Sequence, residues 1–376
     1  MIILAIETSC DETAIAILKS VNCKFKILSN VVASQIKIHA KWGGVVPSLA
    51  KREHIKNLPL VLKKSLCEAK VSSSRFQVSD IDFIAVTVGP GLEPALWTGI
   101  NFAQELAKKW KKPIVAVNHM EGHIVSVLLN RKNFSISNSQ FPILALLVSG
   151  GHTELVLMKK MLDYKIIGST LDDAAGEAFD KVAKMLGLPY PGGPIVAKIA
   201  NSHQSSVVSS QIKLPRPMIN SKNYDFSFSG LKTAVLYKLR DLEAEKSGFR
   251  RISLYDRPKE NQFLGDTLKA QICYEFQQAV IDVLISKTLR AAKEYKVKTI
   301  ILGGGVAANQ ELRKRLSNQL SVVSPQIKLL MPEIKFTGDN AAMIALAAYF
   351  HTTKKSLNKF EISPSNFKAD GNLKLS

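Results

Sequence analysis

Two histidines with metal-binding spacing lie at the junction of a predicted strand and a predicted helix. The segment 119–124 reads HMEGHI and directly follows the apolar run 113–118, in a chain with only seven histidines. On a helix, residues at positions i and i+4 leave the same face, so the imidazoles of His119 and His123 can share one metal ion. The same spacing also suits two structural histidines satisfied by water or by backbone carbonyls. The pair is therefore a candidate metal site that still needs a third ligand.

Asp339 is the candidate third ligand. It lies in the segment 336–343, FTGDNAAM, just before a small and apolar helix start. A carboxylate oxygen and two imidazole nitrogens form a common set of protein ligands for a catalytic metal. Aspartate is also a favoured helix N-cap, so the sequence leaves both roles open for this residue.

The histidine pair superficially resembles the HExxH motif of metallopeptidases, but its acid is at a different place. Glu121 follows His119 by two positions, which places it roughly 200° around a helix from that histidine. Its carboxylate should point away from a metal shared by the two histidines. A metal-bound water would then lack the general base of the peptidase motif, which argues against peptide hydrolysis by that route.

Glycine turns elsewhere in the chain can bring backbone amides close to phosphate oxygens. The segment 149–153, SGGHT, and the pair Gly192-Gly193 are of this kind. The segment 303–308, GGGVAA, fits part of a dinucleotide-binding fingerprint, but the acidic residue expected about twenty positions later is missing. No P-loop motif occurs. Each turn alone also fits ordinary turn geometry, whereas several in one α/β chain favour a bound nucleotide.

The elements that must position these residues form a repeated pattern. Segments 1–17 and 141–158 each read as an apolar run, a polar turn and a second apolar run, which is typical of a β-hairpin. In each half a later buried strand leads through a glycine turn into a helix, after 81–88 and after 299–302. The pattern predicts a duplicated α/β unit with a cleft between two lobes.

The lobe boundaries follow from this pattern. We expect a first lobe over residues 1–125 and a second over 126–337. A helix over about 338–360 should pack back onto the first lobe, and 361–376 should be a flexible tail. The Ser-, Asn- or charge-rich segments 133–140, 203–211 and 244–258 read as surface loops.

Composition restricts the class of protein and of partner. Lys and Arg number 51 against 31 Asp and Glu, a formal net charge of +20 that favours a polyanionic partner, although a generally lysine-rich surface is the alternative. No apolar run is long enough to cross a bilayer. The N-terminus carries no signal-peptide pattern, and the four scattered cysteines fit free thiols. We therefore expect a cytoplasmic protein with no membrane partner.

Taken together, the motifs resemble those of the TsaD family, also called Gcp, Kae or OSGEP, which are tRNA N6-adenosine threonylcarbamoyltransferases. The resemblance runs nearly end to end and implies a two-lobed actin/Hsp-type (ASKHA) ATPase fold. Ser48 departs from the family pattern, which has glutamate at that place. The motifs that carry the resemblance are IETSCDET (6–13), HAKWGGVVP (39–47), GPGL (89–92), NHMEGH (118–123), LVSGGHT (147–153), DDAAGEAFDK (172–181), YPGGP (190–194), PRPM (215–218), FSFSGLKT (226–233), GGGVAAN (303–309) and TGDNAAM (337–343).

By this resemblance His119, His123 and Asp339 hold one divalent metal, iron in the first place and zinc as the alternative. Asp11 and Glu12 match acids near the nucleotide phosphates and are catalytic or phosphate-proximal candidates. The nucleotide ligand would be threonylcarbamoyl-AMP or ATP. The positions that match substrate-binding residues are Leu147, Val148, Ser149, Gly150, Gly151, Asp180, Gly193 and Asn309.

The implied reaction transfers a threonylcarbamoyl group from threonylcarbamoyl-AMP to N6 of the adenosine beside the anticodon, in tRNAs that read codons beginning with A. The resemblance also implies a TsaB-like paralogue, a TsaE-like ATPase and a TsaC-like adenylate-forming enzyme as partners. Two other functions compete with it: a metallopeptidase, and a non-catalytic ATP-binding module of the actin/Hsp type. The second should bind ATP without needing His119 or His123.

Overall fold

The computed structural model describes residues 1–22, 24–129, 140–202, 212–247, 265–354 and 367–375. Most of the three segments predicted as surface loops lies outside the described residues. Of these segments, residues 244–247 belong to the end of a helix. Cys23 is also outside, whereas the other three cysteines are free thiols as expected.

The first half of the chain forms a five-stranded sheet in the order β3-β2-β1-β4-β5. The first three strands form an antiparallel meander, and the last two add in parallel to β1 and then to one another. The strands are β1 (Ile2–Glu7), β2 (Glu12–Val21), β3 (Lys24–Ser34), β4 (Phe83–Gly89) and β5 (Ile114–Asn118).

The second half repeats this topology strand for strand. Its sheet has the order β8-β7-β6-β9-β10, again with an antiparallel meander followed by two parallel strands. The predicted duplication is therefore present in the fold. The strands are β6 (Ile143–Val148), β7 (Thr153–Lys160), β8 (Asp163–Ser169), β9 (Thr299–Gly303) and β10 (Lys328–Leu330).

Helices connect the parallel strands and cover the sheets, which is why the central strands are continuous apolar runs. None of the helices in the described part of the chain is long and apolar enough to cross a membrane. The helices are α1 (Ile36–His39), α2 (Pro47–Ser72), α3 (Glu93–Trp110), α4 (His119–Val125), α5 (Ala175–Met185), α6 (Gly192–Ser202), α7 (Ser229–Ser247), α8 (Asp266–Glu294), α9 (Gln310–Val323) and α10 (Ala341–Lys354).

One hydrophobic core is shared by the two halves. It contains side chains of β1 and β5 from the first sheet and of β6 and β7 from the second. Helix α10 lies in this core and packs against β1, β2 and α4. The short α4, which carries both candidate metal histidines, is buried along its whole length. The helix therefore has little freedom to move independently of the two sheets.

The expectation of a flexible tail from residue 361 is wrong for residues 367–375. Asp370 N donates to Val88 O (2.9 Å), Gly91 N donates to Gly371 O (3.2 Å), and the Leu375 side chain is buried in the shared core. The segment is ordered because it supplies hydrogen-bond partners for the loop after β4 and covers apolar surface. Sequence periodicity could not reveal this, since the segment forms neither a helix nor a strand.

The turn after β9 requires glycine at position 304, because a side chain does not fit there. Gly304 has φ +89°, and a Cβ placed there would lie 2.3 Å from Val148 O. We predict that Gly304→Ala lowers the free energy of unfolding by roughly 2 to 4 kcal/mol, because it adds backbone strain to overpacking. Chemical denaturation followed by circular dichroism measures this change.

Gly305→Ala is the matched control for this prediction. It is the next residue, and none of the described atoms lies within 4 Å of a Cβ built there. It should leave stability almost unchanged. Equal stability losses for the two variants would contradict the assignment of the loss to the left-handed turn.

Candidate metal and nucleotide site

The two histidines of the HMEGH segment meet as the spacing predicts. Helix α4 starts directly at the end of β5, where the Asn118 side chain accepts a hydrogen bond from Met120 N (2.8 Å) and caps the helix. The first turn is thereby fixed against the sheet. His119 and His123 lie on one face with ring centroids 4.7 Å apart, and both side chains are buried.

Asp339 completes the triplet. Its Oδ1 lies 3.3 Å from His119 Nε2 and 3.4 Å from His123 Nε2. The N-cap of α10 is the neighbouring residue, because Asn340 Oδ1 accepts a hydrogen bond from Met343 N (3.1 Å). Of the two roles that the sequence left open for Asp339, the structure thus gives the cap to Asn340 and leaves the carboxylate facing the histidines.

The donor set fits a divalent transition metal. The ligand atoms of His119, His123 and Asp339 all lie within 4.8 Å of one another. Among the described residues, neither ring nitrogen of the fully buried His123 has a hydrogen-bond partner. An unpartnered buried imidazole is costly, and a metal ion at Nε2 would supply the missing interaction. Two imidazoles and one carboxylate suit zinc or iron.

Glu7 belongs to this site although sequence reasoning missed it. Its Oε2 lies 2.9 Å from His119 Nδ1 and also accepts a hydrogen bond from Thr87 Oγ1 (2.7 Å), while Ser9 N donates to its Oε1. A carboxylate that accepts the Nδ1 proton leaves the Nε2 lone pair free to bind a metal. The available signal was a glutamate at the end of the buried apolar strand IILAIE, since a buried carboxylate requires a partner.

The charges around His119 favour a cation. Burial lowers the pKa of this imidazole, but the carboxylates of Glu7 and Asp339 on either side raise it well above its usual value. Burial raises the pKa of Asp339, but the two neighbouring imidazoles lower it more strongly, so the net shift is downward. Burial lowers the pKa of His123. The Asp339 carboxylate therefore faces the two imidazole Nε2 atoms, where a divalent ion would bind, whereas the Glu7 carboxylate faces the other ring nitrogen of His119, Nδ1.

Glu121 lies away from the triplet, as its position in the helix predicted. Its Oε2 is 2.6 Å from His351 Nε2 on α10. The side chain is buried, and its partner lies on the side of α4 that faces α10. It therefore cannot serve as a general base for a water at the histidine pair.

A cleft of about 480 Å³ in the second lobe is lined by several of the predicted substrate-binding residues. Gly150, Asp180, Gly193 and Asn309 line it, together with the ring of Phe179. The lining does not include the metal triplet. The turn between β6 and β7 connects the two places, since it carries Gly150 at the cleft and His152 within electrostatic reach of His119 and His123.

The polar groups of this cleft are held by specific hydrogen bonds. Asp180 Oδ1 accepts from Gly192 N (2.7 Å) and Gly193 N (3.3 Å), which fixes the glycine turn at the start of α6. The Asn309 side chain caps α9 at Leu312 N (3.0 Å) and donates to Gln277 Oε1 (2.8 Å). Both polar atoms of the Asn309 side chain therefore make hydrogen bonds within the protein, although the residue lines the cleft.

The remaining predicted substrate residues differ in their exposure. Leu147 and Val148 are fully buried at the end of β6, so their side chains position the turn and do not face the cleft. Ser149 N donates to His152 O (2.8 Å) and closes the turn. Gly151 is exposed at its tip.

Asp11 and Glu12, the two acids of the first hairpin turn, lie near the metal triplet. Asp11 is buried, and Glu12 Oε1 accepts from Ser34 Oγ (3.1 Å). Burial, together with the charges of Asp339 and Asp11, raises the pKa of Glu12 to about 9. Burial, with a smaller contribution from the neighbouring His119 and His123, lowers the pKa of His152 to about 4. Glu12 from the first hairpin turn and His152 from the second therefore both lie within electrostatic reach of the triplet.

Comparison with known proteins identifies the family. The family model described as "TsaD: tRNA N6-adenosine threonylcarbamoyltransferase" matches residues 26–346. The chain belongs to the TsaD family. It is 45% identical to the tRNA N6-adenosine threonylcarbamoyltransferase of Thermosipho africanus over 375 residues, which is 100% of both chains. It is also 45% identical to the enzyme of that name from Listeria welshimeri, over 92% of this chain and 90% of the relative.

The fold of this TsaD-family chain also resembles a larger protein. The crystal structure of HypF from T. kodakarensis aligns with a TM-score of 0.57 at 13% identity, over 95% of this chain. The chain spans about half the length of HypF, at 48% coverage. This likeness concerns the fold alone and agrees with the predicted two-lobed actin/Hsp-type architecture.

The DD pair and the FSFSG segment, two further family motifs, hold each other in place. Asp172 accepts hydrogen bonds from the backbone of Phe228 (2.8 Å) and from the hydroxyls of Ser227 and Ser229 (2.6 Å each). Asp173 pairs with Lys232 Nζ (2.8 Å). Asp173 itself precedes α5 and lies outside the helix. The two motifs therefore fix the start of α5 against the start of α7.

Loss of the histidines should remove bound metal. We predict about one metal ion per chain for the wild type and close to none for His119→Ala/His123→Ala, because two of three ligands are gone. Elemental analysis of the purified proteins measures the content. His351→Gln is the control, since its imidazole lies on the far side of Glu121, and it should keep the wild-type content. Full metal content in the double variant would contradict this site.

The carboxylate of Glu7 should strengthen metal binding through His119. We predict that Glu7→Gln binds the metal about 10- to 100-fold more weakly, the usual cost of losing such a partner. Competition with a chromophoric chelator measures the affinity. Glu121→Gln is the matched control, because it alters a buried glutamate paired with a histidine outside the triplet. Similar affinities for Glu7→Gln and the wild type would remove Glu7 from the site.

Proposed function

We propose that this protein transfers a threonylcarbamoyl group from threonylcarbamoyl-AMP to N6 of the adenosine beside the anticodon, in tRNAs that read codons beginning with A, and releases AMP. One observation carries the proposal for this chain. In a TsaD-family protein, the triplet of His119, His123 and Asp339 lies beside a cleft lined by glycine turns.

The triplet is proposed to hold one divalent metal, with iron as the first candidate and zinc as the second. His119 and His123 would bind through Nε2 and Asp339 through a carboxylate oxygen. When bound, such an ion acts as a Lewis acid that orients and polarises oxygens of the substrate. Glu7 keeps the ring of His119 in the tautomer and orientation that this binding needs.

The glycine turns are proposed to bind the nucleotide part of the adenylate. The backbone amide of Gly150 borders the cleft, and no Cβ there prevents a phosphate from approaching it. Gly193 also lines the cleft, but its amide already donates to Asp180. Asp180 accepts from two amides of the second turn and so fixes its geometry. Asp11 and Glu12 are proposed to lie near the phosphates, where their charges would influence nucleotide release.

In the proposed reaction the adenosine N6 attacks the carbamoyl carbon of the adenylate. The new C–N bond forms, the bond from that carbon to the bridging oxygen breaks, and AMP leaves with this oxygen while its phosphate accepts the proton that N6 loses. The amides that bind the phosphate are fixed before the reaction, so they stabilise the charge that develops on the leaving AMP. Burial of the histidine pair keeps bulk water from this region and so limits hydrolysis of the adenylate.

The proposed partners follow from the reaction and the family. The net charge of +20 suits the phosphate backbone of tRNA. A TsaC-like enzyme would supply the adenylate, and a TsaB-like paralogue and a TsaE-like ATPase would complete the machinery. We place the protein in the cytoplasm, where tRNA, threonine and ATP are available together.

The decisive experiment is reconstitution of the reaction. Wild-type protein is incubated with unmodified tRNA, threonine, bicarbonate, ATP, an adenylate-forming enzyme and the proposed partners, and the tRNA nucleosides are analysed by mass spectrometry. We predict threonylcarbamoyladenosine with the wild type and with His351→Gln. His119→Ala/His123→Ala should lose at least about 100-fold in rate, because a metal contributes several kcal/mol of transition-state stabilisation.

Two results would refute the proposal. Unmodified tRNA after incubation with folded, metal-loaded wild type and active partners would exclude the transferase reaction. Binding of ATP without any effect of the double histidine substitution would instead favour a nucleotide-binding module.

A further inference from the structure

The most exposed tryptophan of the described chain lies in the HAKWGGVVP segment, for which no role has yet been given. Trp42 is 64% exposed. It ends a single turn of 3-10 helix, and the next residue, Gly43, has φ +69° and turns the chain away. Lys37 and Lys41 on the same loop are exposed as well. A large apolar ring with neighbouring cations is thus displayed to solvent.

The loop that carries Trp42 is anchored to the site by buried polar groups. His39 is fully buried, and its Nδ1 accepts from Val46 N (3.2 Å) while its Nε2 contacts Gln35 Oε1 (3.1 Å). Gln35 N donates to Asp11 O (2.9 Å). Buried polar networks of this kind fix one conformation, because any other would leave groups unsatisfied. The ring is therefore held at a fixed place relative to the hairpin turn of the site.

The loop faces helix α5 of the second lobe. A Cβ built on Gly43 would lie 3.4 Å from Lys184 Nζ, at the end of α5. The start of α5 approaches the turn between β6 and β7, where Gly176 N donates to Ser149 O (3.2 Å). The same helix carries Asp180. Trp42 and Lys41, next to Gly43 on the first lobe, are therefore close to Lys184 on the second lobe.

We propose that Trp42 is a stacking platform for an unpaired base of the tRNA anticodon loop, with Lys41 and Lys184 contacting the neighbouring phosphates. This inference rests on the proposed function, because it concerns the RNA substrate of that reaction. Proteins recognise single-stranded RNA by stacking splayed bases on aromatic side chains beside a positively charged surface. An exposed tryptophan also suits a protein interface, but lysines are depleted there, and two of them flank this ring.

The test measures binding of an unmodified anticodon stem-loop RNA to the protein without adenylate or partner proteins. We predict that Trp42→Ala weakens binding about 10- to 100-fold, the usual effect of losing one stacked base. Trp42→Phe should retain most of the affinity, because it keeps an aromatic face. Trp97→Ala is the matched control, since Trp97 is also partly exposed, at 38%, but lies on α3.

Two further measurements identify the contact. RNA should quench the tryptophan fluorescence of the wild type, and this quenching should disappear in Trp42→Phe, which keeps the other two tryptophans. Lys41→Ala and Lys184→Ala should each reduce the slope of log affinity against log salt by about 0.7, the value for one phosphate contact to a single strand.

The outcomes separate this inference from the proposed function. If Trp42→Ala binds RNA as tightly as the wild type, the inference is refuted. A loss of activity confined to reactions with partner proteins would then assign Trp42 to a protein interface. If Trp42→Ala weakens RNA binding but the wild type forms no threonylcarbamoyladenosine, the RNA platform stands and the proposed reaction fails.

Discussion

The buried contact between Glu7 and His119 is the interaction on which the site depends. A carboxylate at the end of a central strand would cost several kcal/mol if it were unpaired. Here it accepts hydrogen bonds from Thr87 and Ser9 and faces the imidazole of His119. The contact joins the first strand of the chain to helix α4 and orients one metal ligand. Its loss would disturb strand packing and ligand geometry together.

The repeated topology explains why the candidate functional residues lie close together. In both halves an antiparallel meander is extended by two parallel strands. Glu7 ends a strand of the first sheet and His119 follows another, whereas Ser149 and the turn at Gly304 follow strands of the second sheet. Open α/β sheets bind ligands at the carboxyl ends of their strands. Duplication therefore gives one site with contributions from both lobes.

Two late segments of the chain complete this arrangement. Helix α10 returns to the first sheet, and the residue two positions before it, Asp339, closes the triplet. Residues 367–375 then lie against the loop after β4 and place Leu375 in the core shared by the two halves. Asn118, the cap of α4, also contacts this segment through Leu373 O (3.4 Å). The candidate metal ligands are thus held by parts of the chain that are distant in sequence.

The sequence alone determined the duplicated α/β pattern, the i and i+4 pairing of His119 and His123, and the orientation of Glu121, because these follow from local periodicity. The motifs also identified the family. Only the tertiary structure decided that Asn340 caps α10 and frees Asp339, that Glu7 supports His119, and that the tail is ordered. The contacts of Glu7 with His119 and of the tail with Val88 and Gly91 join residues more than a hundred positions apart, and local spacing carries no information about such contacts. The Asn340 cap is a local contact, but the sequence offers aspartate and asparagine side by side, and both are favoured N-caps.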